Sequence, residues 1–167
     1  MPDAVPFMSS YHVVEEGWID YNNHLNMGYY TVLFDRAADE LWDRFGFGPD
    51  YVKRTNHTTF SAEFHLRYLR EVKLGDRLRS SIWIIAYDEK RFHTFQELYH
   101  EGGWVSATGE GVTLHVDLDG LRVAPMPQEI YARIAAMGEA HARLPMPEGV
   151  GRRIGLHNKP GPSPAGE

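Results

Sequence analysis

Residues 18–30 of this chain carry the sequence WIDYNNHLNMGYY, and the pattern predicts that the rest of the fold is built around this segment. Its polar side chains precede an apolar helix. Asn26 is a suitable helix cap, which would leave the backbone N–H groups near Met27 and Gly28 free to face a ligand. Asp20 lies just upstream. A carboxylate beside a helix N-terminus indicates attack on, or hydration of, a carbonyl whose oxygen gathers negative charge.

The helix after this segment is predicted from Tyr30 to Phe45, because apolar residues recur there at helical spacing. Gly46 is a suitable C-terminal stop, and a short second helix is predicted from Gly48 to about Arg54. The apolar stripe of the long helix is broad, so the helix needs burial on most sides. It consists of Tyr30, Leu33, Phe34, Ala37, Ala38, Leu41, Trp42 and Phe45.

From residue 58 the apolar period changes to two, which is typical of strands. The alternation predicts one face made of Phe60, Ala62, Phe64, Leu66 and Tyr68, and an opposite face made of Thr59, Ser61, Glu63, His65 and Arg67. Further strands are predicted at 7–14, 77–87, 91–100 and 104–117, with a last helix at 125–142. Gly109 and Gly111 indicate a bulge or a close backbone approach.

These elements predict an α+β fold in which an antiparallel sheet of about five strands wraps around one long central helix, with a C-terminal helix added. The last four strands are expected to form a meander, and the first to pair at one edge. The domain is expected to span residues 1–145. A Pro/Gly-rich tail is expected at residues 146–167, and its part Pro160–Gly166 is predicted to be mobile.

Composition limits the function classes. The 167 residues suit one domain, and the formal net charge of −6 disfavours nucleic-acid binding. The chain has no cysteine, which excludes a thiol nucleophile and a Cys-ligated zinc site. Its nine histidines form no His-Glu-x-x-His pattern, so no metal site is predicted. No signal peptide and no membrane span are evident, and the expected location is the cytoplasm.

The run Asp20–Tyr30 resembles the active-site segment of hotdog-fold acyl-CoA thioesterases of the 4-hydroxybenzoyl-CoA thioesterase type. That family usually has Gly where this chain has Asn23, and Asn is the next best residue for a left-handed conformation. The resemblance continues in residues 67–76. From Tyr11 to about Leu156 the chain is most similar to the branch associated with bacterial carnitine degradation, which is sometimes fused to carnitine dehydrogenase. The resemblance implies hydrolysis of betainyl-CoA to betaine.

The resemblance also implies roles for the motif residues. Asp20 would be either a nucleophile or a base that activates water, and the residues leave both open. The N–H near Met27 would polarise the thioester oxygen. His24 or Asn23 would orient water or the thioester, and Asn26 is expected to act as the cap beside the substrate.

The family implies further substrate contacts. Glu63 and His65 lie on a strand that, in this fold, often passes a neighbouring subunit's site. Candidates for the phosphates of coenzyme A are Arg67, Arg70, Lys90 and Arg91. Coenzyme A would be part of the substrate, and no separate cofactor is expected. Middle strands that are apolar on both faces favour pairing with a second copy, so a homodimer or a dimer of dimers with sites at the subunit interface is predicted.

Aromatic residues are concentrated near the motif, and they include Trp18, Tyr21, Tyr29 and Tyr30. A trimethylammonium group cannot donate a hydrogen bond and is well bound by aromatic faces. We therefore predict that Trp18, with Tyr21 or Tyr29, helps to recognise the quaternary ammonium.

Three other functions fit the sequence less well. They are a thioesterase for another short or aryl acyl group, a hotdog enoyl-CoA hydratase or dehydratase, and a non-catalytic acyl-CoA-binding module. The hydratase pattern has Pro and an aliphatic residue before its His, whereas His24 comes one residue too soon and no Pro is present. The Gly-x-Ser-x-Gly elbow of serine hydrolases is also missing.

Overall fold

The computed structural model describes residues 5–156 and places the predicted long helix at the centre of the fold. This helix, α1, runs Met27–Phe45. Asn26 caps its N-terminus, and Gly46 ends it in the left-handed conformation with a φ of 97°. Leu33, Ala37 and Leu41 are fully buried. The broad apolar stripe of α1 therefore forms the centre of the core.

The sheet around α1 is antiparallel throughout and has the main strand order β1-β4-β5-β6-β3, with β2 on β4 and β7 on β6. Its strands are β1 Phe7–Met8, β2 His12–Val13, β3 His57–Tyr68, β4 Arg77–Tyr87, β5 Arg91–His100, β6 Val105–Asp117 and β7 Arg122–Val123. The two other α-helices are α2 Pro49–Thr55 and α3 Gln128–His141. The predicted α+β hotdog architecture is confirmed.

The predicted four-strand meander is wrong in one respect, because β3 pairs with β6 and not with β4. The segment between β3 and β4 is no hairpin; it crosses the start of α1. The Leu25 N–H donates to the Val72 carbonyl at 2.8 Å, and Val72 is fully buried. Within the described residues β3 thus forms one edge of the sheet, and its end lies against the start of α1.

The predicted faces of β3 are also wrong for its first half. Ser61 pairs with Thr113 and Glu63 with Val112, so Ala62 is an extra residue in a β-bulge. An extra residue shifts the alternation by one position. Thr59 and Ser61 consequently lie on the same inner face as Phe64, whereas Phe60 lies on the outer face.

The close backbone approach predicted at Gly109 and Gly111 is confirmed, and the bulge lies on the neighbouring strand. A Cβ atom on Gly109 would come within 2.5 Å of the Phe64 ring, and one on Gly111 within 2.6 Å. The two glycines therefore give the Phe64 ring its place on the inner face of the sheet, edge-to-face with Phe34.

Several element ends differ from the prediction. The first strand is two short strands, β7 was not predicted, and α3 starts at Gln128 with Pro127 as its N-cap residue. After α3 the chain crosses to β6, where the Gly151 N–H donates to the Glu110 carboxylate at 2.9 Å. The predicted mobile part, Pro160–Gly166, lies outside the described residues. None of the helices in residues 5–156 has the length and apolar character that a membrane crossing needs.

Candidate active site

The loop before α1 is held by hydrogen bonds to Asp20. The Asn23 N–H donates to the Asp20 carbonyl at 3.0 Å. The Oδ1 atom of the Asp20 carboxylate accepts the N–H groups of Asn22 at 2.8 Å and His24 at 3.4 Å. Asn23 has a φ of 61°, so it adopts the left-handed conformation predicted for this position. The second carboxylate oxygen, Oδ2, accepts no hydrogen bond from any residue in the range 5–156.

The start of α1 presents one unpaired backbone donor. The Asn26 Oδ1 atom accepts the Gly28 N–H at 3.0 Å, so the expectation that this N–H is free was wrong; the cap reaches the second residue of the helix. The Met27 N–H, in contrast, has no acceptor among the described residues. It carries the partial positive charge of the helix N-terminus.

Asp20 and Met27 line one cavity of about 550 Å³. His24 and Tyr30 also line it, together with Tyr68, the last residue of β3, and the three residues after it, Leu69, Arg70 and Glu71. The Asp20 carboxylate and the unpaired Met27 N–H therefore face the same cavity. Sequence reasoning did not assign Glu71 to the site, because only the crossing of this segment over the start of α1 brings it there.

Tyr30 contributes a hydroxyl to this cavity. Its side chain is only 4% exposed, and its ring packs edge-to-face on Tyr68 at 5.1 Å. Burial, with smaller contributions from Tyr68, Glu71 and Asp20, raises the pKa of Tyr30 to about 12. The hydroxyl therefore keeps its proton at physiological pH and is available as a hydrogen-bond donor in the cavity.

His24 lies on the same cavity, where its Nε2 atom is 3.8 Å from the Glu71 carboxylate. Asn23 is exposed and does not line the cavity; it shapes the loop through its backbone.

The aromatic residues near the motif are not arranged as the walls of one ammonium-binding cage. Trp18 is buried and stacks on Tyr29 with 5.6 Å between ring centroids. The Arg36 guanidinium lies 4.9 Å from the same Trp18 ring, so a positive charge is already in contact with it. Tyr21 is 94% exposed. The structure does not bring these rings together around an open space, and their role in ammonium recognition stays a prediction.

The two candidates on β3 lie in a second cavity. Glu63 and His65 line a space of about 780 Å³ at the β3 edge, and Met27 and Tyr68 line both this cavity and the Asp20 cavity. The segment 151–154 forms another wall. Glu63 and His65 are therefore next to the Asp20 cavity and can serve a ligand that extends along the edge.

The basic candidates are dispersed. Arg70 lines the Asp20 cavity and stacks over the Trp104 ring at 4.0 Å. Arg67 lies against Gly149 on the outer face of the sheet. Lys90 and Arg91 are at the other end of the sheet, and Arg91 is held by Asp88 at 2.6 Å. Within one chain the structure does not bring Lys90 or Arg91 together with Asp20.

A third space was missed entirely by sequence reasoning. It is a groove of about 260 Å³ between α1 and the inner face of β3, β5 and β6. Its walls include Thr59 and Ser61, which the bulge turns inward. The available signal was a pair of polar residues on β5, Thr94 and Gln96, which share one face of the strand with the core residues Phe92 and Leu98.

The arrangement around Asp20 is suited to acyl transfer. A carbonyl oxygen bound by the Met27 N–H would lie in the same cavity as the unpaired Asp20 oxygen, and the helix N-terminus favours negative charge on the carbonyl oxygen. Across residues 5–156, no group of three or more His, Cys, Asp or Glu side chains is arranged to hold a metal ion.

Sequence comparisons identify close relatives. The model of a family described as the thioesterase-like superfamily matches residues 14–134. A betainyl-CoA thioesterase of Pseudomonas aeruginosa is 43% identical over 140 residues, which cover 83% of this chain and 88% of that protein. An L-carnitine dehydrogenase/betainyl-CoA thioesterase of Rhizobium meliloti is 36% identical over 143 residues, covering 85% of this chain but 29% of that longer protein.

Solved structures have the same fold. A hypothetical protein of Staphylococcus aureus in complex with CoA matches with a TM-score of 0.84 at 25% identity, covering 92% of this chain and 98% of that one. A putative thioesterase of Pseudomonas putida matches with a TM-score of 0.78 at 32% identity, covering 95% and 99% of the two chains.

Proposed function

We propose that this chain, which belongs to the thioesterase-like superfamily, hydrolyses betainyl-CoA to betaine and free coenzyme A. That it is a thioester hydrolase follows from the family and from the 43% identical relative. The acyl group is the proposed part, and the betainyl-CoA thioesterases among the relatives support it. Coenzyme A enters as part of the substrate.

The observation that carries the mechanism is the shared cavity of Asp20 and the Met27 N–H. The thioester oxygen accepts the Met27 N–H, and Asp20 attacks the carbonyl carbon or draws a proton from an attacking water. In the overall reaction a C–O bond to water oxygen forms, the C–S bond breaks, and a water proton ends on the thiolate. Thiolate is a good leaving group, so the site needs no strong general acid.

A comparison of two acyl groups tests the substrate. Betainyl-CoA and its neutral isostere, in which a tert-butyl group replaces trimethylammonium, differ in charge but hardly in shape. We expect kcat/KM for betainyl-CoA to be higher by about ten- to a hundredfold, since a cation on aromatic faces contributes about 0.5–2 kcal/mol per contact. Release of free thiol measures both rates.

Equal rates on the two thioesters would contradict betainyl-CoA as the substrate. The assignment of the chain as a thioester hydrolase would not be affected. Release of thiol from neither thioester, together with loss of absorbance on a 2-enoyl-CoA, would favour the hydratase.

We also propose that the active form is a homodimer joined through β3. This edge strand has 12 residues, and within residues 5–156 only β6 pairs with it. Unpaired strand edges invite pairing with another chain. Phe60 and Tyr68, both on β3, are 45% and 46% exposed. Tyr68, the last residue of β3, lines the Asp20 cavity, so a second subunit paired along β3 would border that cavity, which supports sites at the subunit interface.

Mixing two inactive variants tests this arrangement. We expect Asp20→Asn and His65→Ala homodimers each to be strongly impaired. If each site combines Asp20 from one chain with His65 from the other, random remixing restores about a quarter of the sites, because half of the dimers are mixed and carry one intact site. Activity that never exceeds the average of the two variants would place both residues in the same subunit's site, and a monomeric mass by light scattering would exclude the dimer.

A further inference from the structure

The quaternary ammonium of betainyl-CoA is attached close to the reacting carbonyl. Two bonds separate the nitrogen from the carbonyl carbon, so these two atoms are about 2.5 Å apart. When the thioester oxygen accepts the Met27 N–H, the ammonium must therefore lie in or at the mouth of the Asp20 cavity, which Met27 lines. The groups that recognise its charge are thus to be sought among the residues that line this cavity.

A carboxylate that the proposed chemistry does not use lies in this lining. Among the described residues, two carboxylates line the cavity, those of Asp20 and Glu71. Asp20 is assigned to the attack, so Glu71 is left for the ammonium. Within residues 5–156 the Glu71 carboxylate forms no ion pair with Lys or Arg, and its neighbour is the His24 Nε2 atom at 3.8 Å. The Glu71 side chain is 62% exposed, so a ligand in the cavity can reach its charge.

The charge of Glu71 acts on the inner wall of the cavity. Tyr30 lines this wall and is 4% exposed. Burial is the largest cause of the raised pKa of Tyr30, and Tyr68, Glu71 and Asp20 add to it. Both carboxylates therefore oppose a negative charge at the Tyr30 hydroxyl, and the same potential attracts a cation to this part of the cavity.

The positive charge in the lining is smaller than the negative charge. In the part of the chain that the structure describes, Arg70 is the one Lys or Arg residue that lines the cavity, and its guanidinium lies over the Trp104 ring at 4.0 Å. The carboxylates of Asp20 and Glu71 outweigh this single guanidinium, so the lining is negative overall. A cationic acyl group is therefore favoured over a neutral one of the same shape.

Tyr68 supplies an aromatic surface in the same cavity. Its side chain is 46% exposed, and its ring meets the Tyr30 ring edge-to-face at 5.1 Å. The Tyr68 hydroxyl donates to the Met27 carbonyl at 3.3 Å, so Tyr68 is held beside the residue whose N–H binds the thioester oxygen. An aromatic face binds trimethylammonium well, because the electron-rich face of the ring attracts the cation.

We propose that Glu71 and Tyr68 recognise the quaternary ammonium of the acyl group, Glu71 through its negative charge and Tyr68 through its aromatic face. Both are specificity-determining residues. They raise kcat/KM for a trimethylammonium acyl group, whereas Asp20 and the Met27 N–H carry out the chemistry on any acyl group. This inference rests on the proposed hydrolysis of betainyl-CoA.

Replacement of Glu71 tests the role of its charge. The measured quantity is the ratio of kcat/KM for betainyl-CoA to kcat/KM for its tert-butyl isostere, both obtained from thiol release. In Glu71→Gln we expect this ratio to fall about tenfold, because the cationic substrate loses a counter-charge and the neutral isostere does not. In Glu71→Lys the ratio should fall about a hundredfold, since repulsion replaces attraction. The matched control is Glu139→Gln, an exposed glutamate on α3, which should keep the wild-type ratio.

Two substitutions of Tyr68 test the aromatic face. Tyr68→Phe keeps the face and removes the hydroxyl, so the cationic-to-neutral ratio should stay at the wild-type value. Tyr68→Leu keeps an apolar side chain without the face, so the ratio should fall about three- to tenfold. Any loss of rate from the missing hydrogen bond to the Met27 carbonyl affects both thioesters equally and leaves the ratio unchanged.

The possible failures are distinguishable. If the wild-type protein prefers betainyl-CoA and Glu71→Gln keeps that preference, the assignment of Glu71 is overturned and the proposed substrate stands. Equal loss of rate on both thioesters in Glu71→Gln would also overturn it, because the carboxylate would then act on the fold or on the chemistry. A wild-type ratio in Tyr68→Leu would overturn the assignment of the aromatic face. Equal rates on the two thioesters in the wild-type protein would overturn the proposed substrate and this inference together.

Discussion

Asp20→Asn is expected to lower kcat for thioester hydrolysis by at least 10²–10⁴-fold, the range typical of a lost acid–base group. Asparagine has neither the negative charge needed for attack nor the basicity needed to take a proton from water. Because the substitution should change substrate binding little, we expect kcat to fall while KM stays close to the wild-type value. Thiol release under saturating betainyl-CoA, with single-turnover measurements to separate chemistry from product release, measures the effect.

The loop geometry makes asparagine the right substitution. The Asp20 Oδ1 atom holds the N–H groups of Asn22 and His24, and an asparagine Oδ1 can accept both. Asp20→Ala would break the turn as well as remove the charge, so its activity alone would not separate the two causes. A matched control is Asp43→Asn. An Asp20→Asn protein with full activity and an unchanged melting temperature would remove Asp20 from the mechanism.

Met27→Pro should lower kcat by about 10²–10³-fold, which corresponds to roughly 3 kcal/mol of barrier for one lost oxyanion donor. Met27 is the first residue of α1, where proline is well tolerated because the missing N–H has no intrahelical acceptor. Asn26 has a ψ of 140°, which suits the residue before a proline. The Met27 side chain is 65% exposed, so a proline ring has space.

The control for the proline variant is Met27→Ala, which shortens the side chain and keeps the N–H. We expect Met27→Ala to stay within about tenfold of the wild-type kcat, because the donor is unchanged. Circular dichroism and thermal melting report whether α1 is intact in both proteins. Equal loss in the two variants would assign the effect to the side chain and contradict the role of the backbone donor.

Local patterns in the sequence predicted the parts of the site that depend on neighbouring residues. The cap at Asn26, the left-handed Asn23 and the stop at Gly46 each follow from the preferences of single residues over a few positions. Asp20 lies near the helix start for the same reason, since only six residues separate it from Met27.

The features that the sequence did not predict depend on long-range pairing. The bulge at Ala62 leaves no signal in an alternating run, yet it turns Thr59 and Ser61 toward the groove. The pairing of β3 with β6 depends on contacts between residues about 50 positions apart, such as Phe60 with Leu114.

The path of the chain after α3 has a practical consequence for handling the protein. Residues 151–154 form a wall of the cavity at the β3 edge, so a label placed on these residues would lie beside the space that the substrate needs. The backbone at Val5, in contrast, is bonded to His141 of α3, which packs on β4, three strands away from β3. A fluorophore or a surface linker is therefore better placed at Val5 than at residues 151–154, because Val5 is distant from the entrance to the cavity.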